Sequence, residues 1–206
     1  MHMNRATLEA MQGDLRRILQ ERCIRQGTFV LASGVRSNYF FDGKLATLSP
    51  DGSILTGHLI FNRLRGQGIE AVGGKELGAN PIVTAVSLIS SMQKEPMPGF
   101  IVRSNRKDHG LEERIAESYT EDGRPLISQG RIVAIVDDVA TSGQSCMDAV
   151  NVVVAEGCQV AKIIVLVDRQ QGAAQFFHER GYNFEALYVS NFDGRLSDWV
   201  PTVKAR

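Results

Sequence analysis

Asp137 and Asp138 stand side by side after the run Ile132-Val133-Ala134-Ile135-Val136, and Thr141-Ser142-Gly143-Gln144-Ser145 follows with two residues between. Adjacent carboxylates can accept the hydrogens of sugar hydroxyls or hold a hydrated divalent cation. Hydroxyls, a glycine and the amides of a helix start can cradle a phosphate. Acid pair, hydroxyl-and-glycine loop and helix are therefore an arrangement for holding a sugar phosphate. The same residues also fit a plainer role, in which two acids end a core strand and Gly143 makes a turn. The loop is neither a P-loop, since no Gly-Lys-Ser/Thr follows, nor a G-x-G-x-x-G dinucleotide turn.

These residues need elements to hold them. The 132–136 run is apolar without alternation, which predicts a parallel strand buried on both faces, and Cys146–Ala155 reads as the helix after the loop. Leu8, Met11, Leu15, Ile18 and Leu19 keep helical spacing over about 6–22, and Gly27 closes that unit. Short strands are expected at Thr28–Leu31 and Asn38–Asp42. Ser49 as N-cap with Pro50 at the first position starts a helix to about Arg65. Strands at 69–72, 99–103, 160–167 and 184–189 alternate with helices at 81–93 and 173–180. Such alternation predicts an α/β fold with a mostly parallel central sheet flanked by helices. About the first 45 residues do not alternate this way and are expected to form a small N-terminal hood on a single domain.

Ligands of an open parallel sheet sit at the carboxyl ends of its strands. Four turns fall there: the glycine-rich 73–79, the basic 103–110, the acidic 137–145, and 168–172 with Arg169. The chain has 206 residues, 43% of them hydrophobic, with 23 basic and 23 acidic side chains. That balance gives no bulk attraction to nucleic acid or membrane, and no segment reaches the roughly 18 apolar residues of a membrane span. Cys23, Cys146 and Cys158 lack metal-ligand spacing, and the polar N-terminus does not read as a signal peptide. A cytoplasmic protein is expected. His58 and His178 read as helix residues rather than ligands, Trp199 as an anchor for the C-terminus. Cys146 has no histidine base nearby in sequence to make it a nucleophile.

Residues 132–145 resemble the signature of the type I phosphoribosyltransferases, a hydrophobic strand followed by D-D-x-x-T-x-G-x-S. Three further stretches resemble motifs of the orotate phosphoribosyltransferases within that family. Arg103, Lys107, His109 and Gly110 match the loop R-K-x-x-K-x-H-G. Ser33-Gly34 with Ser37-Asn38-Tyr39-Phe40-Phe41-Asp42 matches the N-terminal signature, and Asp168-Arg169-Gln170-Gln171-Gly172-Ala173 matches D-R-x-x-G-A. The resemblance implies transfer of the phosphoribosyl group of phosphoribosyl pyrophosphate (PRPP) to orotate, giving orotidine 5'-monophosphate and pyrophosphate.

It also implies roles. Asp137 and Asp138 would meet the ribose hydroxyls, near a Mg2+ carried on PRPP. Val139 and Ala140 would continue the binding stretch, and Thr141, Ser142, Gly143, Gln144 and Ser145 would grip the 5'-phosphate. Arg103, Lys107 and His109 would neutralise the leaving pyrophosphate, with Lys107 and His109 on a closing loop that reaches the partner's site in a homodimer. Phe40, Phe41 and Arg169 would hold orotate. Ala32, Leu77 and Ser104 stand where some members carry lysine. Three other readings stay open: transfer to another base, a PRPP-binding regulator, or a paralogue with weak or no catalysis. The first would lack the Phe40-Phe41 and Arg169 signatures, and the second would need a nucleic-acid-binding face.

Overall fold

The computed structural model describes residues 3–30, 36–104, 114–116 and 123–200. Ala32, Ser33, Gly34, Lys107, His109 and Gly110 lie outside the described residues.

Helix α1 (Arg5–Ile18) starts where the Asn4 side chain accepts the Thr7 amide hydrogen at 2.9 Å, and it runs on into a π-helical turn, Leu19–Cys23. Leu15, Ile18, Leu19 and Cys23 face the core at the expected spacing. Strands β1 (Ile24–Val30) and β2 (Arg36–Phe41) form a separate antiparallel ribbon. Gly27 does not separate helix from strand as its position suggested. It lies inside β1 at φ +153°, where the pairing register slips between Gln26 and Phe29, and a Cβ there would meet the Phe29 ring at 3.1 Å. A bulge wants that permissiveness.

A single helical turn, α2 (Lys44–Thr47), was not foreseen, since four residues carry no period. Helix α3 (Pro50–Leu64) begins as predicted, with Ser49 accepting from the Gly52 amide at 3.2 Å. Then follow β3 (Ala71–Lys75), α4 (Ala79–Met92), β4 (Gly99–Val102), β5 (Ile132–Ala140), α5 (Gln144–Ala155), β6 (Gln159–Asp168), α6 (Ala173–His178), β7 (Phe184–Ser190) and β8 (Leu196–Asp198).

The main sheet has the order β4-β3-β5-β6-β7-β8, parallel except for β8, which pairs antiparallel with β7 at the edge. β8 extends the sheet past Phe184–Val189, which had read as the last strand; three residues give too short a pattern to see. Both faces are covered. Ala134 and Val136 face the core built by α1, α3 and α4, while Val133 and Ile135 face α5 and α6. Burial on both faces is why the 132–136 run does not alternate.

Two expectations about strand ends are corrected. β5 does not stop at Val136: Asp137 pairs with Val165, Val139 with Val167 and Ala140 with Asp168, so the acid pair is inside the strand. β6 is long enough to keep the backbone ladder going beneath the two charges. Gly73, Gly74 and Lys75 belong to β3 rather than to a turn. A Cβ on Gly73 would lie 2.3 Å from the Phe100 ring, and one on Gly74 would lie 2.1 Å from the Val136 carbonyl oxygen, so close approach inside the sheet demands glycine there. Chain direction across the sheet reverses between β3 and β5, since β3 leads to β4 on one side and β5 leads to β6 on the other. That reversal opens a crevice at the carboxyl ends of β3 and β5.

Candidate active site

The crevice is a cleft of about 740 Å³. β5 and its loop supply Asp137, Asp138, Val139, Thr141 and Ser145. The end of β3 and the following turn supply Lys75, Glu76, Leu77 and Gly78, α2 supplies Lys44, and Ser104 closes the side next to β4. The Glu76 carboxylate holds that side by accepting the Ser104 amide hydrogen at 2.8 Å.

Asp137 and Asp138 are 5% and 7% exposed. The Asp138 amide donates to Asp137 Oδ1 at 2.9 Å. Glycine backbone closes on the pair from two sides. A Cβ on Gly78 would sit 2.6 Å from Asp138 Oδ1 and 2.7 Å from Asp137 Oδ1, and one on Gly43 would sit 2.8 Å from the Asp138 Cβ. Burial, followed by the charge of Asp138, pushes the Asp137 carboxyl well above the usual carboxylate range. Burial raises Asp138 as well, partly offset by the nearby Lys44 ammonium. Among the described residues no cation lies within ion-pair distance of either acid. Beneath them Cys146 is buried, its Sγ 3.8 Å from Asp137 Oδ2, and burial followed by that carboxylate holds the thiol far above its ordinary value. Burial and a raised thiol both disfavour the thiolate that nucleophilic attack requires.

The loop after β5 turns through Gly143 at φ +87°, where a Cβ would also meet the Phe177 ring at 2.7 Å. Gly143 is the N-cap of α5 and has no side chain to occupy the first amides, which stay available to an anion. The loop is fixed from behind, because the Thr141 carbonyl accepts the Ala173 amide and the Ala140 carbonyl accepts that of Arg169. Of the stretch singled out from sequence, Asp137, Asp138, Val139, Thr141 and Ser145 line the cleft, whereas Ala140, Ser142, Gly143 and Gln144 do not.

Phe40, Phe41, Arg103 and Arg169 lie outside the cleft lining. Phe40 is 42% exposed on the ribbon and packs on Phe29, while Phe41 is buried. Arg103 donates from Nη1 to the Ile115 carbonyl at 3.0 Å, and its backbone amide bonds to Arg114, so the chain leaves β4 and returns beside it. An arginine at a strand end is ordinarily exposed, but Arg169 is 7% exposed and reaches β2. Its Nε donates to the Tyr39 hydroxyl at 3.0 Å and its Nη2 to Ser37 Oγ at 2.8 Å.

Sequence reasoning missed Lys44 and Gly43, and though it placed the 73–79 turn at the ligand end of the sheet, it gave Glu76 and Gly78 no role of their own. Lys44 bonds to Asp42 Oδ1 at 2.7 Å, and Asp42, then Asp138, raise its pKa against a desolvation that lowers it. Its signal was thin: one cation two residues past an aromatic strand. Lys75 is bound to Asp148 Oδ2 on α5 at 2.6 Å. His58, next to Gln93 on the far helices, and the exposed His178 take no part in the cleft, as expected. Trp199 packs partly buried against the core, and its amide bonds to the Leu187 carbonyl, which fits the anchoring role. Among the described residues no helix is long and apolar enough to cross a membrane.

Residues 79–176 match the phosphoribosyl transferase domain family. Over 184 residues the chain is 39% identical to an orotate phosphoribosyltransferase of Nostoc sp., covering 89% of this chain and 85% of the relative. It is 38% identical to one from Synechocystis sp., covering 89% of each. Among solved structures, orotate phosphoribosyltransferase of Mycobacterium tuberculosis superposes with a TM-score of 0.72 at 29% identity, over 85% of this chain and 94% of that one. The same Mycobacterium enzyme in complex with PRPP gives a TM-score of 0.68 at 27% identity, again over 85% and 94%.

Proposed function

The chain belongs to the orotate phosphoribosyltransferases, and from that premise we propose how its own residues divide the reaction. The enzyme transfers the phosphoribosyl group of PRPP to orotate, giving orotidine 5'-monophosphate and pyrophosphate on the route to UMP. The bond from C1' to the pyrophosphate breaks, leaving an oxocarbenium-like centre, and the nitrogen of the orotate anion closes on the opposite face. No covalent intermediate with the protein is needed. The protein must steady a positive ring on one side and a departing polyanion on the other.

The single observation that carries the assignment of roles is the buried Asp137–Asp138 pair in the switch-point crevice, beside the uncapped start of α5. In our reading the two carboxylates take the ribose hydroxyl hydrogens and favour positive charge on the ring. The hydroxyls of Thr141 and Ser145 and the amides from Gly143 onward take the 5'-phosphate. Arg103, Lys107 and His109 answer the pyrophosphate, with Lys44 as a further cation in the cleft. Among the described residues the Lys44 ammonium is bound only to the partly exposed Asp42, and such a pair is worth about 0–1 kcal/mol, so it is easily exchanged for a phosphate. Arg169 and the ribbon carrying Phe40 and Phe41 hold the pyrimidine, the ribbon acting as a hood on a single domain.

A divalent cation fits this donor set. Two buried carboxylates with no ion-pair partner among the described residues suit one hydrated Mg2+ shared with the substrate's phosphates, and among the described residues no cluster of three ligands forms an all-protein cage. When bound, Mg2+ supplies charge neutralisation to the leaving pyrophosphate. We further read the enzyme as a cytoplasmic two-fold homodimer with shared sites.

The assignment is tested by steady-state consumption of orotate with PRPP and Mg2+, run beside uracil, hypoxanthine and adenine. Turnover of orotate alone is expected. Preference for another base would reassign the acceptor, and no turnover with any base would favour a PRPP-binding paralogue. Arg169 has its own test. Arg169→Ala should raise the KM for orotate at least tenfold, on the scale of about 1.5–3 kcal/mol for a hydrogen bond to a charged group, while the KM for PRPP moves little. Equal changes for both substrates would remove Arg169 from the pyrimidine side.

A further inference from the structure

Arg169 raises a question of charge. Among the described residues its buried guanidinium has no carboxylate within ion-pair distance, although buried charges are normally paired. Hydroxyls and a ring face compensate it instead. The Tyr39 ring lies under the guanidinium carbon at 4.2 Å from its centroid. Nε donates to the Tyr39 hydroxyl at 3.0 Å, and Nη2 donates to Ser37 Oγ at 2.8 Å and, at a long 3.5 Å, to the Tyr39 carbonyl.

The donors and acceptors around it close. Ser37 Oγ spends its one hydrogen on the Tyr39 carbonyl at 2.7 Å, leaving lone pairs for Arg169 Nη2 and for the Tyr39 amide at 3.3 Å. Arginine can only donate, so the Tyr39 oxygen accepts from it, and the phenol hydrogen is free to go to Ser190 Oγ at 2.5 Å. Ser190 is buried at the end of β7, and its carbonyl accepts from Gln170 Nε2 at 3.1 Å. Gly194 backs the Tyr39 ring, where a Cβ would come within 2.8 Å. Two edges of the guanidinium are thus committed, and the two hydrogens of Nη1 have no partner among the described residues.

We infer that Tyr39, anchored by Ser190, is a positioning residue that sets the plane of Arg169 so that its Nη1 edge meets a planar, anionic acceptor. The inference rests on the proposed role of Arg169 at orotate and adds the residues that make that arginine a reader of shape as well as charge. Tyr39 touches no substrate in this reading. It acts through Arg169, by a hydroxyl that fixes Nε and a ring that offsets the buried charge without neutralising it. A carboxylate in that place would neutralise the guanidinium and weaken its hold on an anion, whereas a phenol leaves the charge available.

The experiment is a double-substitution cycle read as separate KM values for orotate and PRPP. Tyr39→Phe keeps the ring and its packing and removes the hydroxyl. It should raise the orotate KM roughly tenfold, the scale of a lost charge-assisted hydrogen bond, with the PRPP KM within twofold. Ser190→Ala should move the same constant in the same direction by a smaller factor. In an Arg169→Ala background Tyr39→Phe should add less than twofold, because the group it positions is gone. A Tyr39→Phe enzyme with unchanged orotate KM, or with both KM values raised alike, overturns the inference. Full additivity with Arg169→Ala does so too, since Tyr39 would then act only by docking the ribbon. These failures are distinct from failure of the Arg169 reading, which appears in Arg169→Ala alone as an orotate KM that does not rise selectively.

Discussion

The paired substitution Asp137→Asn and Asp138→Asn is expected to lower turnover by roughly 10²-fold or more, the scale of losing preorganised electrostatic contacts to a charged transition state. It should also make the empty protein more stable at neutral and alkaline pH. Burial raises both carboxyl groups in the folded chain, and the charge of Asp138 raises Asp137 further. A group raised on folding contributes stability that is fully present below its unfolded pKa, about 3.9 for aspartate, and lost as pH climbs through the folded value. The wild type therefore carries at pH 8 a penalty that is absent near pH 4, and the asparagine pair escapes it. Melting temperatures should show the double variant above wild type at pH 8, with the gap closing toward pH 4. Each 1 kcal/mol corresponds to about 2–4 °C for a chain of this size. Adding Mg2+ and PRPP should reverse the order at pH 8 by stabilising only the protein that binds them. Near-normal turnover in a folded double variant would remove the pair from the ribose. A melting gap that ignores pH would mean the acids carry no charge strain in the empty site.

That prediction depends on the acids lying inside β5, which the sequence did not say. The apolar run stops at Val136, and hydrophobic pattern alone reads charge as the end of a strand; the backbone ladder to β6 carries on regardless. The same limit hid Lys44, whose one-turn helix has no period, and misread Gly73 and Gly74, whose glycines answer to Phe100 and the Val136 carbonyl across the sheet. Long periodic elements were legible because their signals are local. Ser49 and Pro50 start α3 as their capping chemistry requires, and the unbroken 132–136 run marks the doubly covered centre. The site was legible to the extent that one loop carries it. Asp137, Asp138, Thr141 and Ser145 share the cleft as the spacing implied. Arg169 was legible as a motif but not as a buried cation, since its setting comes from Tyr39 and Ser37, some 130 residues away.

Mixing two inactive chains should restore activity if the sites are shared. Lys107 and His109 fall in sequence between Arg103 and Arg114, whose backbones are joined by a hydrogen bond at 2.7 Å beside the end of β4. Ser104 lines the chain's own cleft. An extended chain gains at most about 3.3–3.6 Å per residue, so Lys107 and His109, three and five residues past Ser104 in sequence, are within reach of their own chain's cleft. Resemblance to the family favours the neighbour, and a cross of two variants decides between them. One chain carries Lys107→Ala, the other Asp137→Asn with Asp138→Asn, each expected to be nearly inactive alone. With sharing, a mixed dimer has one site bearing both defects and one bearing neither, and its activity should approach half that of a wild-type dimer. If each loop serves its own chain, both sites keep one defect and mixing recovers nothing. Subunit exchange is verified independently, by mass-tagged chains, before the rates are compared. Recovery toward half is the expected result. Its absence in verified mixed dimers would assign Lys107 to its own cleft and leave the transfer of phosphoribose to orotate untouched, because the acid pair and the phosphate loop come from a single strand and the turn after it.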